Sequence, residues 1–169
     1  MGEPDLVTQE YSFDVVSQYD RQELVNAVNQ AQREVTTRYD FKDAGASIAL
    51  GDSELVLDGP SEMKLKAMVD VLQSKLIRRN LSLKILKLGP VEPAAKGTVR
   101  QRIELQAGIT DELARTLVKQ IKSVSPKVQP RIQGDAIRVS SREKDLLQKV
   151  IQSLRETDAP VPLQFINYR

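Results

Sequence analysis

The chain has 169 residues, enough for one domain or two small ones. It contains neither Cys nor His, which removes disulfides, thiolate chemistry, the commonest general base and the commonest transition-metal ligand. Net charge is +2 but uneven: residues 1–97 carry 12 Lys/Arg against 15 Asp/Glu, net −3, and residues 98–169 carry 13 against 8, net +5, which points to an anionic partner for the C-terminal half.

In chain order, residues 1–9 are polar, acidic and expected to be loose. They do not resemble a signal peptide, and no apolar run reaches the length of a membrane span, so a cytoplasmic protein is expected. Tyr11 to Val16 alternates as a short strand. Asp20 and Glu23 have the spacing of a capping box, and Leu24, Val28, Ala31 and Val35 follow at helical spacing to about Thr37. A charged and aromatic connection, Arg38-Tyr39-Asp40-Phe41-Lys42, leads to a hairpin of Ala46–Leu50 and Glu54–Asp58. Pro60-Ser61 opens a second helix with Leu65, Met68, Val69, Leu72 and Leu76 on one stripe. Its last turn carries Lys75, Arg78 and Arg79, opposite in sign to the helix end. Leu81–Leu88 is read as a strand, and Gly89–Gly97, rich in Gly and Pro, as a linker.

After this linker the order repeats. Thr98–Gln106 alternates as a strand, and Thr110 caps a helix bearing Leu113, Leu117 and Ile121. A hairpin over Lys127–Ser140 closes at Gly134-Asp135. Val128, Pro130 and Ile132 are expected on its apolar face, with Lys127, Gln129, Arg131, Gln133 and Arg138 on the other. Ser140 and Glu143 suggest a second capping box ahead of Leu147, Val150, Ile151 and Leu154, and Leu163–Tyr168 reads as the last strand. Each half is therefore strand–helix–strand–strand–helix–strand. The expected class is α+β: a tandem duplication of ferredoxin-like, ribonucleoprotein-like βαββαβ domains at 1–97 and 98–169. RNA-recognition modules of this topology stack bases on aromatics of the two central strands. Here those positions hold Arg100, Arg102, Arg131 and Gln133, so capture of phosphates by charge is the surviving sheet-face reading.

Five separated stretches, Ser12–Ser17, Arg38–Lys42, Lys75–Arg79, Ile132–Val139 and Gln164-Phe165 with Asn167–Arg169, resemble the bacterial YajQ family in order and without large gaps. The resemblance implies two tandem ribonucleoprotein-like domains that exchange their first strands, about 11–17 and 98–106. It implies binding of ATP, GTP or tRNA, and for some members a role as cyclic di-GMP effectors. Under the exchange, Arg100 and Arg102 leave the surface of Lys127, Arg131 and Arg138, and Asp14 approaches that surface.

Candidate phosphate-binding residues are Arg38, Lys42, Arg78, Arg79, Arg100, Arg102, Lys127, Arg131 and Arg138, with Tyr39 and Phe41 as candidate base-stacking rings. Each has a structural alternative: Phe41 as a core plug, Asp40 as an ion-pair partner, and the basic helix end as a solvated surface. Asp14, Asp40 and Asp135 could hold a hard cation, but their spacing does not single them out. With no Walker-type loop, metal-ligand spacing or base-activated nucleophile, no enzyme activity and no cofactor are expected. The expected function is non-catalytic nucleotide or RNA binding on basic sheet faces and the cleft between domains. The alternatives are a cyclic di-GMP effector acting on a transcription factor or other protein partner, and a protein-binding scaffold without a nucleotide.

Overall fold

The structure is a computed structural model that describes residues 9–38 and 45–169. In chain order the elements are β1 (Tyr11–Val16), α1 (Arg21–Thr37), β2 (Ser47–Leu50), β3 (Glu54–Gly59), α2 (Glu62–Arg78) and β4 (Leu86–Pro93). They continue with β5 (Val99–Leu105), α3 (Asp111–Val124), β6 (Gln129–Gln133), β7 (Ala136–Ser141), α4 (Lys144–Arg155) and β8 (Gln164–Ile166). The described residues form two compact units, one within Tyr19–Gln106 and one of Ala107–Arg169 together with residues 9–18.

In the 19–106 unit, four antiparallel strands run in the order β2-β3-β5-β4. Leu55 and Leu57 of β3 and Ile103 of β5 are fully buried on one face. They meet Leu24, Ala31 and Val35 of α1 and Leu65, Leu72 and Leu76 of α2, the apolar stripes that helical spacing predicts. The terminal unit has the order β6-β7-β1-β8, also antiparallel. Phe13, Val15, Ile137 and Val139 are fully buried there against Leu117 and Ile121 of α3 and Val150 and Leu154 of α4. β1 thus pairs with β7 and β8, and β5 pairs with β3 and β4.

Several local expectations need correction. Gly89–Pro93 is not a linker but the second half of β4, beyond a register shift between Leu88 and Val91. β4 lies at the edge of its sheet, where prolines cost no ladder hydrogen bond, so Pro90 and Pro93 are compatible with a strand. Asp20 does cap α1, accepting from the amides of Gln22 and Glu23. Glu23 does not complete the box, however; its carboxylate accepts from Asn26 and Arg79. The second box is absent as well: α4 starts at Lys144 with Glu143 as an N-cap that makes no side-chain hydrogen bond. Ser141 Oγ instead accepts from the Glu143 amide. Ile132 does share the face of the buried Ile137, as expected, but near the hairpin tip it is 46% exposed. The final strand is the shorter Gln164–Ile166.

Candidate functional site

The antiparallel register places Arg131, Arg138, Asp14 and Ile166 in one row across the terminal sheet, on the face turned away from its helices. The central strands of this sheet, β7 and β1, contribute no aromatic ring to this face; Arg131 and Gln133, expected on a central strand, lie instead on the edge strand β6. Arg138 is already engaged: its Nε and Nη2 donate to the two oxygens of Asp14 at 2.9 and 3.3 Å. Asn167 Nδ2 donates to the same carboxylate at 2.7 Å. The Arg138 hydrogen bond holds the buried Asp14 carboxyl below the usual carboxylate range; desolvation opposes the shift, and Asn167 adds to it. Arg131 is exposed and has no ion-pair partner among the described residues.

Other predicted cations are similarly occupied. Arg100 lies 2.7 Å from Asp58 and Arg102 2.9 Å from Glu54, on the helix-free face of the other sheet, where Lys87, not among the predicted cations, is 3.8 Å from Glu104. Lys127 pairs with Glu143 at 3.1 Å, and Arg38 with Glu34 at 3.2 Å. Exposed pairs of this kind are worth about 0–1 kcal/mol, so they are breakable, but they cancel the field that would draw an anion. Arg100 and Arg102 belong to a different sheet from Lys127, Arg131 and Arg138. Tyr39, Phe41 and Lys42, with Asp40, lie outside the described residues.

Uncompensated charge gathers elsewhere, in a groove of about 500 Å³ where α1 and the end of α2 come together. Arg33, Lys75, Arg78 and Arg79 line it, with Glu23, Gln30 and Asn80. The end of α2 is fixed by a Schellman motif. Asn80 takes the left-handed conformation (φ 59°), the Leu81 amide donates to Leu76 O, and the Asn80 amide donates to Ile77 O, both at 3.0 Å. Arg79 Nη1 reaches Glu23 at 3.2 Å, and the nearly buried Lys75 reaches Glu34 at 2.9 Å from the side of α1. Hydrogen bonds from Lys75 and then Arg38 hold the Glu34 carboxyl below its usual range. Arg33 and Arg78 have no ion-pair partner among the described residues. Two free guanidinium forks in one depression suit the paired oxygens of a phosphate. Among the described residues no aromatic side chain lines this groove.

Of the predicted cations, then, this groove brings together Arg78 and Arg79, with Lys75 of the same basic helix end, and adds Arg33, which the sequence pattern does not single out. The available signal was the polar stripe Glu23, Gln30 and Arg33 on α1, opposite the apolar one. No group of three or more acidic side chains among the described residues is placed to hold a metal ion. Asp14 is committed to Arg138 and Asn167, and Asp135 to the hairpin turn. No described helix is long and apolar enough to cross a membrane.

A family described as "Nucleotide-binding protein YajQ-like" matches residues 11–169. A protein of Chloroflexus aggregans named a nucleotide-binding protein is 54% identical over 162 residues, covering 95% of this chain and 98% of its own length. Proteins likewise named as nucleotide-binding are 55% identical over 158 residues in Synechococcus elongatus, covering 94% of this chain and 97% of their own length, and 52% identical over 162 residues in Roseiflexus castenholzii, covering 95% and 98%.

Proposed function

The chain belongs to the YajQ-like family of nucleotide-binding proteins, and we propose from that premise that it binds a nucleotide or RNA through its phosphates and leaves the ligand chemically unchanged. The observation that carries this reading is the groove at α1 and α2. There four cations face one carboxylate, and two of the cations, Arg33 and Arg78, have no counter-charge among the described residues. The groove, rather than the sheet faces, is the primary phosphate seat, because the sheet cations Arg100, Arg102 and Arg138 each sit against a carboxylate. ATP, GTP and tRNA-like RNA are the ligand classes in view, and the setting is cytoplasmic. We further read the two units as duplicated βαββαβ domains with exchanged first strands. The pairing of β1 with β7 and β8, and of β5 with β3 and β4, supports that reading.

Calorimetric titration of the full chain with GTP, cyclic di-GMP and a short single-stranded RNA, each followed by chromatography of the ligand, tests the proposal. Saturable binding that weakens with salt, with ligand recovered intact, is the expected result. Fixed-stoichiometry binding of cyclic di-GMP alone would instead favour a signalling effector. No heat from any ligand at low salt would leave the scaffold reading.

A further inference from the structure

The C-terminal stretch Asn167-Tyr168-Arg169 has no part in the groove at α1 and α2, yet the structure builds a second niche around it. Asn167 adopts the left-handed conformation (φ 57°), which Asn tolerates better than most residues, and its side chain is tied to Asp14. The chain beyond it continues antiparallel to β1 past this one-residue bulge, and the Arg169 amide donates to Ser12 O at 3.0 Å and the Ser12 amide to Arg169 O at 3.3 Å. Tyr168 is thereby laid over Phe13, ring centroids 6.1 Å apart and planes 29° from parallel. Phe13 is fully buried while Tyr168 remains 57% exposed, so a braced aromatic ring is presented outward.

The niche at this ring has a volume of about 200 Å³ and lies against α4. Tyr11, Leu147 and Ile151 supply apolar wall, Gln148 an amide, and Lys144 and Arg169 two cations. Neither cation lies within ion-pair distance of a carboxylate among the described residues, although the charge of Arg169 acts on Asp14 from farther off. Lys144 also stands in the first turn of α4, where the helix dipole disfavours positive charge and Glu143 offers no side-chain cap. An anion beside Lys144 relieves both conditions. A planar apolar surface, an amide able to pair with a base edge, and two cations together match a nucleotide.

We propose that this niche seats the base of a nucleotide, stacked on Tyr168, with the phosphate held between Lys144 and Arg169. The inference rests on the nucleotide-binding reading for its ligand class, while its location rests on the geometry alone. It makes the terminal unit a base-reading site separate from the phosphate groove.

Amide NMR titrations of the full chain with GMP, AMP and ribose 5-phosphate test it. Nucleotide should shift the amides of Ser12, Gln148 and Tyr168 saturably, and ribose 5-phosphate, which lacks a base, should bind there about tenfold more weakly. Tyr168→Leu should weaken GMP about tenfold, while Tyr168→Phe retains it; Tyr168 is exposed enough for both variants to fold. Nucleotide shifts confined to the Arg33 and Arg78 groove, or a Tyr168→Leu variant that binds GMP as the parent does, would overturn the niche and leave nucleotide binding standing. The absence of saturable shifts with either nucleotide would overturn both.

Discussion

Asp14 has three roles at once: it neutralises Arg138, accepts from Asn167, and through Asn167 fixes the bulge that presents Tyr168. Its pairing could not be found by spacing, because Arg138 and Asn167 lie 124 and 153 residues away. By contrast, the shared face of Arg131 and Arg138 was legible, since alternation along a hairpin with a two-residue turn fixes it. Asp14→Asn should destabilise the protein by about 1–3 kcal/mol at neutral pH, because a charged partner loses its hydrogen bonds. The folded-state pKa of Asp14 is depressed, so its contribution is complete above the unfolded value of about 4 and is lost as pH falls through the folded value. Urea unfolding at pH 7 and pH 3 should show the difference between parent and variant shrinking at the lower pH. A gap independent of pH would contradict this account.

Elements with a single clear period were readable, and those whose logic lies in a neighbour were not. The stripes of α1, α2 and α4 name their buried residues directly. β4 was obscured because its Gly and Pro serve an edge strand with an irregular register, a combination that in isolation has the composition of a linker. Gly89 is required there by space: a Cβ would come within 2.7 Å of the Arg102 carbonyl oxygen. The Gly89 carbonyl in turn accepts from the buried Gln101 side chain at 2.8 Å. Gly89→Ala forces backbone against backbone and should cost about 1–3 kcal/mol, seen as a lower urea midpoint. An unchanged midpoint would mean that β4 shifts freely. The false capping box at Ser140 has a similar origin: the hydroxyl pattern was present, but β7 continues to Ser141 and delays the helix.

For the whole molecule, the charge asymmetry between sequence halves does not survive folding. Counted by compact unit over the described residues, the terminal unit has 11 Lys/Arg and 9 Asp/Glu, and the 19–106 unit has 13 and 10. Glu10 and Asp14 of the described residues 9–18 join the basic C-terminal stretch, so a halfway cut overstated its pull on an anion. That placement also governs folding. β1 is an interior strand of the terminal sheet, and its Phe13 and Val15 are fully buried, each such side chain contributing about 1.5–3 kcal/mol. Fragments 1–97 and 98–169 should therefore each lack a cooperative thermal transition by circular dichroism; independent folding of either would contradict the pairing. The most direct test of phosphate capture is GTP affinity in an Arg33→Ala, Arg78→Ala double variant, measured by calorimetry at two salt concentrations. The account predicts at least about a tenfold loss of affinity, as expected for lost charge-assisted hydrogen bonds, together with a weaker salt dependence. Parent-like affinity and salt dependence in the double variant would contradict it.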